Sequence, residues 1–218
     1  GGASINGQLM ASQPDAGLVA FAAGQSAGLT GQGSYAVAVG HGSGFDTQGS
    51  NAVAVGCLAG QYDQGALAVA IGRDAGQGDA NDPDKGQGQY AVAIGNFAGK
   101  TSQGISSVAI GYSAGMTGQE DYGTALGNSA GMTNQGTSAT ALGLAAGMTD
   151  QGLSATAVGH AAGQTSQATN ATAVGVTAGQ TTQGANATAV GNGAGQVNQG
   201  ASSVAIGHLA GQTNQAAN

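Results

Sequence analysis

Residues 36–67 read AVAVGHGSGFDTQGSN and then AVAVGCLAGQYDQGAL. The phrase Ala36-Val37-Ala38-Val39-Gly40 returns as Ala52-Val53-Ala54-Val55-Gly56, a second glycine follows the first by four positions, and a glutamine follows that by four more. Outward from this pair the same phrase runs in register from Ala20 to Asn218 in twelve copies. The repeat, rather than any single residue, is therefore the unit of structure. Copies begin at Ala20, Ala36, Ala52, Ala68, Ala91, Ser107, Gly123, Ala139, Ala155, Ala171, Ala187 and Ser203, and positions are numbered 1–16 from these starts.

Positions 1–4 alternate small and β-branched residues with period two, the pattern of a short strand. Glycine stands at position 5 of every copy, as in Gly40, Gly56, Gly72, Gly95, Gly111 and Gly127, and again at position 9. Glycine at fixed offsets marks turns that need a positive φ or a close backbone approach. A turn at each end makes one copy a coil of two short strands. The expected fold class is all-β, a parallel β-solenoid of 16-residue coils stacked at ~4.8 Å, a rod of roughly 55–60 Å.

The copy that starts at Ala68 is longer than the others and ends only at Tyr90, because GDANDPDKG (78–86) intervenes before Gln87 restores the register. That segment is expected to project as a loop from the twelve-coil solenoid of 20–218. Residues 1–19 match the unit poorly and read as a lead-in segment or divergent coil. Solenoid ends need caps; the last copy ends at Asn218 with no polar cap, so the natural chain is expected to continue.

Stacking turns each position into a column. Position 4 is aliphatic in every copy but the first, which has Ala23, and is the expected core, with position 2 at its edge. Position 3 is Ala throughout and position 8 is Ala except at Ser43; such uniform smallness suggests another backbone close by, so these columns are the expected interchain contact. Position 13 is glutamine throughout: Gln32, Gln48, Gln64, Gln87, Gln103, Gln119, Gln135, Gln151, Gln167, Gln183, Gln199 and Gln215. A stacked amide donates to one neighbour and accepts from the other, so this column is expected to be a buried ladder.

Composition restricts function. Of 218 residues 44 are Gly, yet 40% are hydrophobic and strictly periodic, which disordered chains are not. The net charge is −7, with Arg73, Lys85 and Lys100 the only basic residues, so nucleic acid is not an expected partner. No apolar run is long enough to insert in a membrane. Cys57 is alone, and no P-loop, nucleophile elbow or HExxH motif occurs, so an enzyme is not expected. His41, His160 and His208 share position 6 but lie coils apart, too far to share a metal. No cofactor is expected, except that Asp79, Asn81, Asp82 and Asp84 are candidate calcium ligands with loop spacing, set against a solvated Asp-Pro turn.

NAVAVG (51–56), YAVAIG (90–95), SSVAIG (106–111) and NATAVG (170–175) resemble the head repeats of YadA-like trimeric autotransporter adhesins. Similar units look like those of tailed-phage and large-virus fibre proteins. The resemblance implies a left-handed parallel β-roll, a homotrimer, and display outside the cell, on a cell or virion surface. The unit here is longer than the family's usual one, lengthened around AGxTxQG, and no anchor barrel, stalk or neck accompanies it. The expected function is a structural and adhesive fibre segment presenting multivalent weak contacts to a host surface protein or glycan. The alternatives are a passive virion or tail-fibre shaft, and an ice-binding solenoid built on its Thr columns.

Overall fold

The computed structural model describes residues 19–217, so all of the lead-in segment except Val19 lies outside the described residues. The chain divides into two compact units, residues 1–107 and 108–218. Each is a parallel β-solenoid. In the first unit the strand of positions 2–4 pairs coil to coil from Phe21–Ala23 to Val92–Ile94, with Val37 opposite Val53 and Val53 opposite Val69. In the second unit the same column runs from Val108–Ile110 to Val204–Ile206. Successive coils are tied by main-chain bonds such as Val37 N to Ala52 O and Thr140 N to Ala155 O, both 2.9 Å.

The opposite wall is the strand of positions 11–13, formed in nine of the described coils and reduced to isolated bridges in the copies that start at Ala20, Ala68 and Ser203. It pairs through positions 11 and 13 only, as in Thr133 with Thr149 and Gln135 with Gln151. The residue between them is held left-handed: Asn134, Asp150, Ser166 and Thr182 all have φ of 54°. Positions 7 and 16 are left-handed too, and Asn, Ser and Asp recur there because short polar side chains tolerate that conformation.

The core is not where the sequence pattern put it. Positions 1, 3 and 8 are buried, with Ala38, Ala52, Ala59, Ala141 and Ala146 at zero exposure, and the glutamine column lies buried among them. The aliphatic column at position 4 points outward: Ile71 is 38% exposed and Leu126 41%. Alternation was right and its phase was wrong. The reason is thickness. The two walls are so close that one glutamine side chain fills the space between them, leaving room only for alanine opposite. The uniform alanines expected at an interchain contact are therefore interior, and they are uniform because the space is.

The glycines follow from the same geometry. A Cβ on Gly56 would lie 2.5 Å from the carbonyl oxygen of Gly72 in the next coil, at φ 130°. One on Gly131 would lie 2.8 Å from the amide carbon and Oε1 of Gln135 in its own coil. Position 9 is glycine because position 13 is glutamine.

The insertion leaves the stack between positions 11 and 12. Gly78 N donates to Lys100 O at 2.8 Å and Gly86 O accepts from Gln103 N at 3.3 Å, so both glycines belong to the coil. The projecting part is 79–85, one residue narrower at each end than expected, with a 3₁₀ turn at Pro83–Lys85. In the neighbouring coils one peptide bond joins the equivalent positions, Tyr62 to Asp63 and Thr101 to Ser102. Deleting 79–85 and joining Gly78 to Gly86 is thus expected to leave the circular dichroism spectrum unchanged and the melting temperature within a few degrees. Loss of the β signal in that variant would refute this account of the register.

Candidate interaction surface

The glutamine column is a one-way ladder. In the first unit Gln32 Nε2 donates to Gln48 Oε1 at 3.2 Å, Gln48 to Gln64 and Gln64 to Gln87 at 3.1 Å, and Gln87 to Gln103 at 3.0 Å. In the second, Gln119 donates to Gln135 at 2.9 Å, and the chain of bonds continues through Gln151, Gln167 and Gln183 to Gln199 at 3.1 Å. Each Nε2 also donates to the position-2 carbonyl across its own coil, as Gln135 does to Thr124 O at 2.9 Å. One amide therefore joins wall to wall and coil to coil. Gln215 donates to Val204 O, and its Oε1 is buried without a partner. The ladder is structural: its amides are inside.

Two features lie outside. The first is the outward face of the position 2–4 strand. In the first unit it presents Val37 and Val39, Val53 and Val55, Val69 and Ile71, Val92 and Ile94. In the second, Thr124, Thr140, Thr156, Thr172 and Thr188 replace Val at position 2, beside Leu126, Leu142, Val158, Val174 and Val190. No charged residue occupies either column. These side chains are partly exposed rather than buried. The sequence held a signal for this orientation: position 3 never varies, whereas position 4 moves freely among Val, Ile and Leu, as a residue does when its contacts are not fixed by the coil.

The second feature is a polar ladder at position 10. Gln180 Nε2 donates to Gln164 Oε1, Gln196 to Gln180 and Gln212 to Gln196, at 2.9 to 3.1 Å, in the sense opposite to the inner ladder. Met116, Met132 and Met148 take the same position in preceding coils and are half-buried, while Tyr35, Tyr90 and Tyr122 at position 16 are exposed.

Two of the four calcium candidates, Asp79 and Asp82, accept bonds within the loop. Asp79 Oδ1 accepts from Asn81 N at 3.0 Å, Asp82 Oδ1 accepts from Asp84 N at 3.2 Å, and Asp82 Oδ2 lies 3.3 Å from Lys85 Nζ. These are the bonds of an Asp-initiated turn. Among the described residues no three His, Cys, Asp or Glu side chains gather as a metal-binding group. His41 Nδ1 lies 4.0 Å from Cys57 Sγ, one coil apart on the exposed column.

A shallow depression in the second unit is lined by Glu120, Asn134, Asp150 and Leu153 among others. Its acids are bound to neighbours: Glu120 Oε2 accepts from Thr137 N and Oγ1, and Asp150 Oδ1 from Asn134 Nδ2. In the first unit, burial and then the nearby Asp46 carboxylate push the Asp63 carboxyl up from its ordinary value. No helix among the described residues is long and apolar enough to cross a membrane. No family model, curated protein or solved structure matches this chain.

Proposed function

We propose that the chain is a structural and adhesive segment of a fibre, assembled as a homotrimer and displayed on the surface of a cell or virion. The role is non-catalytic. The observation that carries this reading is the uncovered outer face of the position 2–4 sheet. Parallel sheets are ordinarily covered on both faces. Here the inner face is covered by the glutamine wall, and the outer one presents two charge-free columns that stay partly exposed. Apolar columns that repeat once per coil stay in register only with a partner of the same repeat, which makes a second and third copy of this chain the natural cover.

Sedimentation tests this directly. The native protein is expected to sediment at three times its 20.4 kDa chain mass. Val55→Glu combined with Ile71→Glu is expected to yield a monomer with an unchanged circular dichroism spectrum, because both side chains point away from the core. A folded native monomer, or a variant that remains a trimer, would overturn the assembly. Adhesion separates this reading from a passive shaft: an adhesive segment binds host surface proteins or glycans in a screen of the assembled protein, and a shaft binds none.

A further inference from the structure

One corner of the first unit supplies a ligand class for the adhesive role. Arg73 and Lys100 are two of the three basic residues in a chain of net charge −7. They flank a single ring. The Arg73 guanidinium carbon is 5.4 Å and Lys100 Nζ 5.3 Å from the centroid of Phe97, both within cation–π range. With one ring between them, the two cations stand close enough for a single ligand to touch both.

Phe97 itself is the anomaly. It is the only aromatic residue at position 7, where other coils place Ser26, Gly42, Ser113, Ser129 or Ala145 and where Leu58 and Leu209 are the next bulkiest. Its φ is 61°. That left-handed φ is shared by position 7 of every described coil, Leu58 and Leu209 included, so what sets Phe97 apart is its ring. Both cations retain binding capacity. Arg73 Nε is bonded to Asp74 at 2.9 Å, which leaves the terminal nitrogens of a side chain that is 64% exposed, and Lys100 forms no ion pair among the described residues.

Two cations with a half-buried arene between them fit one chemistry, an anionic ligand with an apolar face. We infer that the Arg73–Phe97–Lys100 corner binds an acidic saccharide. Its carboxylate or sulfate groups pair with the two cations, and the C–H face of a sugar ring lies against the exposed part of Phe97. This rests on the adhesive reading and assigns it a ligand.

The test titrates the full native chain with a sulfated oligosaccharide, an oligouronate, a neutral oligosaccharide of equal length and polyglutamate. The expected result is saturable binding of one or both acidic sugars, weakened by added salt, with no binding of the neutral sugar. Binding should fall by about tenfold in Arg73→Gln, in Lys100→Gln and in Phe97→Ser. Serine already serves this position in other coils, so Phe97→Ser should keep its melting temperature, and a mere structural role for the ring would leave affinity untouched. Whether sulfate or uronate binds more tightly identifies the source of the anionic group. Equal binding of the neutral sugar, affinities unmoved by all three variants, or polyglutamate binding in preference to sugar would overturn the site, the last in favour of acidic peptides. Surface adhesion of the native protein with no acidic-sugar binding sinks this site alone, and absence of both sinks the adhesive reading with it.

Discussion

Gly127→Ala is expected to destabilise the second unit by about 4 kcal/mol or more, combining a backbone strain and a contact that cannot relax. Gly127 has φ 134°, and a methyl group there would lie 2.5 Å from the carbonyl oxygen of Gly143. That carbonyl cannot retreat, because Gly143 N is held to Leu126 O at 2.9 Å and the coils are locked at their spacing. Gly207 provides the internal comparison: its φ is 116°, but nothing lies within 4 Å of where a Cβ would stand. Gly207→Ala should thus show the strain alone, roughly 1–3 kcal/mol. Urea unfolding of both variants measures the difference. Equal losses would mean that close approach between coils is not what glycine provides at position 5.

Gln135→Leu is the second large effect, at about 2–4 kcal/mol. The substitution removes the donor to Gln151 Oε1 and the acceptor of Gln119 Nε2, and leaves Thr124 O without its side-chain partner. Gln119 keeps bonds to Val108 O and Gly123 O, so the main cost falls on the Gln151 acceptor, stranded in a buried column. Gln135→Glu separates polarity from shape. A carboxyl there is buried, so its pKa is raised in the folded state, and the variant's stability should be greatest in acid and lost as pH rises through that pKa. Thermal melts across pH check this. A flat profile, or an unchanged melt for Gln135→Leu, would show the column to be dispensable.

The coil was legible in the sequence because glycine and glutamine recur at offsets that only stacking explains. Gly56 and Gly72 identify a corner without any knowledge of what touches it. Which wall faces inward was not legible. Val55 and Ile71 are the larger apolar residues, and the ordinary expectation that size seeks the interior assigns them to the core; a coil only one glutamine wide reverses that, and width is a property of two facing strands rather than of either alone. The insertion was located by register, but its limits were not, because Gly78 and Gly86 have no side chain to announce that they remain paired. The Arg73–Phe97–Lys100 corner escaped notice because its members come from two coils and three different columns, so neither periodicity nor motif spacing groups them.

The interior described above is nearly the same in every coil: alanine at position 3, alanine or Ser43 at position 8, and Ala, Ser or Gly at position 1, against one glutamine. No coil is shaped to its particular neighbour. Lengthening or shortening such a gene by whole repeats therefore disturbs no packing, and unequal crossing-over between copies yields folded proteins of new length at each event. Heritable variation is channelled to the outward positions, where a residue can change without consulting the other side of the wall.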